Sequence, residues 1–322
     1  MAVSAQSTRV RRVLIALVLA GVFVFAGYLF SNPNLFQASA ANAESTQALL
    51  AAYAQKKGPD GLPLWEDQLI ATASSTAWAN EASATANDTT PPPGIVAARG
   101  SLTDQFAQNV FSQYIQQEGG ANPSATDIDT FAQSEIQTLV KNHAQQDIYS
   151  EANLHVSGNG ASAMKAYAVA AQKAVSANSS PTAGNESELN YLSDAVEKGQ
   201  TDELKEVAVI GSDFTNLAPA LMAIQVPSEA QRAHLEIANA FARLGTDDTD
   251  MSMMETDPLL AYLGLSAYET DAASLAQGFA DLSNVFTTDQ VTLSPQNPGY
   301  DFYHAALVAA QTVNASGGNA TQ

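Results

Sequence analysis

The chain contains no cysteine. Disulfide staples, thiolate catalysis, cysteine-ligated metals and a lipid-modified cysteine are thereby excluded. Basic residues are scarce as well. Thirteen lysines and arginines stand against 33 acidic residues in 322 positions, a formal charge of −20. Nucleic-acid binding needs cations that neutralise phosphates, so no nucleic-acid partner is expected. Histidine occurs four times, never as H-E-x-x-H or H-x-x-x-H. The G-x-S-x-G elbow and the G-x-x-x-x-G-K-[ST] phosphate cradle are both missing. Extended signals shrink to two triplets, Leu154–Val156 and Val291–Leu293, which are expected to pair with each other if they pair at all. No repeat of fixed period runs through the chain.

Long hydrophobic runs are also rare, and the single exception stands out. Residues 13–30, VLIALVLAGVFVFAGYLF, are 18 consecutive apolar or glycine residues directly behind Arg9, Arg11 and Arg12. As a helix this stretch reaches about 27 Å, close to the thickness of a hydrocarbon core. The flanking arginines predict a cytoplasmic stub at 1–12, a transmembrane signal anchor at 13–31 that meets the lipid bilayer through Val13–Phe30, and an extracytoplasmic remainder. The alternative is a signal peptide cut after Ala40 or Ala43, where two A-x-A tripeptides lie. Three of the 13 basic residues precede the run and all 33 acidic ones follow it, so the exported part carries a formal charge of −23. That charge favours basic partners, cations or solubility, and disfavours lying on anionic lipid.

Beyond the anchor the pattern is helical almost throughout. A juxtamembrane helical pair is predicted at 44–81, broken at Gly58-Pro59-Asp60-Gly61. A Pro-rich linker follows at 82–98, stiffened by Pro91, Pro92 and Pro93. An extracytoplasmic helical bundle then fills 99–313, with a disordered tail at 314–322. Ser101 with Asp104, and Ser124 with Asp127, read as helix starts. Leu189, Leu192 and Val196 mark a short helix ending at Gly199. Thr201, Asp202 and Glu203 open a longer one, with a kink or break expected near residue 218 before Pro219. Pro227 and Ser228, with Gln231, begin a helix expected to stop at Gly245. Asp257-Pro258 begins another, whose Leu275, Phe279, Leu282 and Phe286 share one face. The fold class is therefore all-α: an N-terminal transmembrane helix, then a helical bundle, with at most a tiny two-stranded β pairing.

A set of short motifs follows a definite order: Leu102-Thr103 with Phe106-Ala107, then Val226-Pro227 before His234-Leu235 and Asn239, then Asp257-Pro258-Leu259 with Tyr268 and a closing Pro298-Gly299. This order resembles that of uncharacterised single-pass, membrane-anchored, exported helical proteins of small-genome candidate-phylum bacteria. The resemblance implies topology alone and transfers no activity and no site residue.

Candidate chemistry is sparse. The stretch GTDDTDMSMMETDP at 245–258 is the densest in acid, but it fails the calcium-loop pattern: Met253 and Leu259 stand where glycine and glutamate are needed. It reads as a solvated loop between helices, with Asp247, Asp248 and Asp250 as the only candidate metal ligands. A ligand pocket inside the bundle, if there is one, is expected among Tyr114, His143, Tyr191, His234 and Tyr268. No catalytic residue and no cofactor is expected. The sequence thus predicts a non-enzymatic scaffold or protein-interaction domain tethered in the cell envelope, with an envelope protein as partner and a place in a surface or secretion assembly. The alternative is a domain that binds, or acts on, a small-molecule or cell-wall ligand.

Overall fold

Ser101 caps the first described helix. Its Oγ accepts from the Asp104 amide at 3.1 Å, while Asp104 reaches back to the Gly100 amide at 2.7 Å. This is the predicted capping box, displaced by one residue at its return bond. The computed structural model describes residues 97–117, 134–136, 138–180 and 187–317. The anchor, the juxtamembrane pair, most of the linker and the Ser124–Asp127 start lie outside the described residues. No described helix is long and apolar enough to cross a membrane.

Besides the helical residues at 134–136 and 138–143, the helices among the described residues are α1 Leu102–Gln117, α2 Gly160–Ala177, α3 Glu188–Lys198, α4 Leu204–Met222, α5 Gln231–Ser252, α6 Pro258–Thr288 and α7 Tyr300–Gly317. Helix α3 ends as expected at Gly199, whose φ of 68° closes the last turn in the left-handed region. Asp257 caps α6 through the Leu260 amide, with Pro258 in the first turn. The described residues are mostly helical, with a tiny two-stranded parallel sheet.

Four expectations are corrected. The short strand β1, His155–Val156, pairs in parallel with β2, Gln225–Val226, and not with Val291–Leu293. The Val291 amide instead donates to the Phe286 carbonyl at 2.8 Å and closes the end of α6. Helix α4 runs through Pro219 to Met222, because proline in a final turn forfeits only one intrahelical bond. Helix α7 continues to Gly317, past Asn314 where the tail was expected to begin. The largest correction is at Gly245. Helix α5 does not stop there but continues to Ser252, so Asp247, Asp248 and Asp250 lie on a buried helical turn and not in a solvated loop.

Helix α5 is the central element, antiparallel to α4 on one side and to α6 on the other. One chain of rings crosses the core: Phe214 of α4, Phe241 of α5, Phe279 of α6, Phe302 of α7 and Tyr167 of α2. Successive centroids are 5.4, 6.4, 5.3 and 5.8 Å apart, within the range of favourable tilted and edge-to-face contacts.

Glycine explains why the α5 extension is buried. At Gly245 a Cβ would lie 2.5 Å from Thr215 Oγ1 and 2.7 Å from the Thr215 amide nitrogen. At Gly264 of α6 it would lie 2.6 Å from the Asp247 carbonyl oxygen and 2.8 Å from Asp250 Cβ. The acidic turn is thus pressed between two neighbouring backbones. Gly245→Ala must push α4 from α5, and overpacking of this kind costs about 1–3 kcal/mol. Its urea midpoint is expected to fall with an unchanged slope; an unchanged midpoint would show that the helices are free to part there.

Candidate functional site

Four buried polar residues recur along α5 at steps of four, four and three: Asn239, Arg243, Asp247 and Asp250. Steps of three and four keep side chains on one helical face. An apolar bundle normally buries no such stripe, so each member needs a partner.

Three of the four hold down the segment after residue 143. The Asn239 carboxamide brackets Tyr149, accepting from its amide at 2.9 Å and donating to its carbonyl at 3.1 Å. The Arg243 guanidinium binds the Asp147 carboxylate through Nη1. His143 Nε2 lies 3.1 Å from Asp250 Oδ2, a close approach without the alignment of a full hydrogen bond. Residues 143–149 therefore form a strap running antiparallel to α5, fastened at both ends and in the middle. Ile148 on this strap is 67 % exposed while the Tyr149 ring packs partly buried against the core, so polar contacts and that one ring seat it.

Beneath the strap, Arg243 Nε donates to Asp271 Oδ1 of α6 at 2.5 Å, and Nη2 stands 3.6 Å from Glu236. Burial pushes the Asp247 carboxyl up to about 9, and the negative Asp271 and Asp250 push the same way while Arg243 opposes them. Asp247 accordingly keeps its proton at neutral pH, and neither of its carboxyl oxygens meets a hydrogen-bond partner. Asp271 is itself raised, first by burial, although Arg243 pulls it down.

On the opposite side of the turn lies a second acid pair. Asp248 is fully buried, and neither carboxyl oxygen has a hydrogen-bond partner. Burial raises its pKa well above the ordinary carboxylate range, with Glu188 and then Asp247 adding to the effect. Glu188, the first residue of α3, is 3 % exposed and accepts a short hydrogen bond from the Tyr268 hydroxyl of α6. Burial raises Glu188 too, and the Tyr268 bond partly offsets it.

Of the five aromatic and histidine residues proposed as a pocket, His143, His234 and Tyr268 each meet a different partner. His143 belongs to the strap. His234 is fully buried elsewhere on α5, with Nδ1 2.9 Å from the Tyr167 hydroxyl. Burial pushes His234 down to about 4, with the Leu221 carbonyl partly offsetting, so the ring is neutral at ordinary pH. Tyr268 and Tyr191 are buried, Tyr268 on Glu188 and Tyr191 on α3. Tyr114 lies in α1, with its side chain outside the described set. Two histidines and a carboxylate around one opening would have been the signature of a catalytic or metal centre; here each histidine has its own partner. The three aspartates do not form a metal cage either: no group of three potential ligands is arranged to hold a metal among the described residues.

Sequence reasoning missed Glu188, Arg243 and Asp271. Glu188 follows the N-cap Ser187, where an acid is ordinary and solvated. Arg243 was detectable, since its four-residue spacing from Asn239 and Asp247 sets a polar stripe beside Ile237, Phe241 and Leu244. Asp271 carried no such signal. Chemically the arrangement stores protons and fastens chain segments; it presents no nucleophile next to a base. No family model, curated protein or solved structure matches this chain.

Proposed function

We propose that this protein is a membrane-anchored, extracytoplasmic helical domain with a non-enzymatic scaffold or protein-interaction role in the cell envelope. The anchor is the apolar run at 13–30, oriented by the three arginines before it. The bundle it displays carries most of the chain's negative charge, which suits a partner with a basic face.

The observation that carries this reading is the joint between linker and bundle. Immediately after the Pro-rich stretch, the Ala98 amide donates to the Thr256 carbonyl at 2.8 Å. Asp257 then accepts from the Leu102 amide at 2.6 Å, the Thr103 amide at 3.0 Å and the Thr103 hydroxyl at 2.6 Å. The Thr103 hydroxyl returns the favour by accepting from the Leu259 amide at 2.9 Å. Two helix starts far apart in sequence thus cap each other. The chain therefore enters the bundle at one fixed point, the paired starts of α1 and α6, which supports a body displayed from a single tether. The separate partners of His143 and His234 weigh against the alternative of a ligand site inside the bundle.

Protease shaving of intact cells tests the proposal. Cleavage is expected beyond residue 44, with a membrane-retained fragment carrying residues 13–31. Full protection of the chain, or its recovery in the cytosolic fraction, overturns it.

A further inference from the structure

The second acid pair lacks a counter-charge. Asp248 of α5 meets Gly211 of α4, where a Cβ would stand 2.8 Å from Asp248 Cβ, so α4 offers it backbone and no cation. Helix α6 offers the Tyr268 hydroxyl, already engaged with Glu188. Helix α3 offers Glu188 itself, a second acid. Within α5 the nearest charges are Asp247 and Asp250, with Arg243 committed to Asp271 and Asp147 across the turn. His143 and Asp147 of the strap face Asp250 and Arg243 and not Asp248. Among the described residues, every titratable group directed at Asp248 is therefore an acid or a phenol.

Helix α3 is the part of this arrangement able to leave. It is 11 residues long, packs mainly on α4, and ends at Gly199 in the left-handed conformation. Its link to α5 and α6 at its first turn is Glu188. Its buried apolar face, Leu189, Tyr191, Leu192, Ala195 and Val196, packs into the core.

We propose that Asp248 and Glu188 form a proton-held latch: as neutral acids they let α3 seat its first turn against α5 and α6, and loss of their protons releases α3 from the bundle. The inference is independent of the membrane reading, because it concerns the bundle alone. With α3 released, Glu188 and the Asp248 carboxyl that it uncovers titrate closer to the ordinary range; with α3 seated they titrate higher. The stabilisation is therefore complete below the ordinary carboxylate range and is lost as pH rises towards the seated values. Between those limits each released proton multiplies the opening constant tenfold per pH unit. A domain facing outward with such a latch would loosen α3 in alkaline surroundings and close it in acid.

Hydrogen exchange of the full chain in detergent, from pH 5 to 9 and corrected for the intrinsic pH dependence of amide exchange, provides the test. Opening at residues 189–198 is expected to rise at least tenfold per pH unit over part of that range, while Leu275–Phe286 in α6 stays protected. Asp248→Asn, which keeps shape and removes the proton, is expected to lower the slope by one unit and to reduce the opening of α3 at pH 9 below that of the parent. Glu188→Gln is the second variant, expected to do the same and to retain the Tyr268 bond. A pH-independent opening of α3 overturns the latch. So does a slope unchanged in both variants, or an opening of α6 in step with α3, which would mean global unfolding instead.

Discussion

Arg243→Ala is expected to be the most damaging single substitution in the bundle. The guanidinium is 7 % exposed and faces three carboxylates, on α6, on the strap and on its own helix. Removing one partner of a buried ion pair leaves uncompensated charge and costs about 3–5 kcal/mol. In a domain of this size that lowers Tm by roughly 6–20 °C. The loss also acquires a pH dependence with a definite sign. Arg243 holds the Asp247 and Asp271 carboxyls down, so without it both titrate higher in the folded state. Stability is then lost as pH rises, and the deficit against the parent protein is larger at pH 8 than at pH 5. Arg243→Lys should recover under half of it, since an ammonium cannot fork between Asp271 and Asp147 as a planar guanidinium does. Thermal melts at both pH values, with limited proteolysis of the strap at 144–149, provide the check. Equal deficits at the two pH values, with the strap still resistant, would mean that Arg243 is a packing residue only.

The same turn shows where sequence reasoning succeeds and where it stops. Local signals survived folding. Ser101 with Asp104, Gly199, and Asp257 with Pro258 each act within one turn of their own helix, and each stands where its chemistry put it. The stripe Leu275, Phe279, Leu282 and Phe286 is buried as its spacing demands. Gly245 failed because glycine has two uses that look alike in sequence: it ends helices, and it lets helices touch. Only the approach of Thr215 and Gly211 from α4 decides between them. The polar run after Gly245 failed for the same reason. Its acids look solvated until Gly264 is known to lie against them. His143, His234 and Tyr268 are turned towards different neighbours, which no periodicity within one helix reveals. Capping was legible, then, while burial of charge required knowing which backbones come close.

Asp257→Ala is expected to detach the entrance of the bundle while leaving its centre folded. Four donors lose their acceptor at once: the Leu102, Thr103 and Leu260 amides and the Thr103 hydroxyl. A single lost N-cap costs about 0.5–2 kcal/mol, and here two helices share one cap. Water replaces the acceptor poorly, because Thr103 is 4 % and Asp257 7 % exposed, so the expected cost is about 2–4 kcal/mol. Most of it should appear locally. Proteolysis between 99 and 109 should quicken at least tenfold, while the aromatic chain from Phe214 to Phe302 keeps its near-ultraviolet circular dichroism. Asp257→Asn retains one acceptor oxygen and should fall between the parent and the alanine variant. Thr103→Val removes only the reciprocal hydroxyl, and should cost less than Asp257→Ala because the Asp257 carboxylate still caps both helices. If Asp257→Ala left cleavage of 99–109 at the parent rate, the joint would be held by Phe106 and Ala107 packing and not by the shared cap.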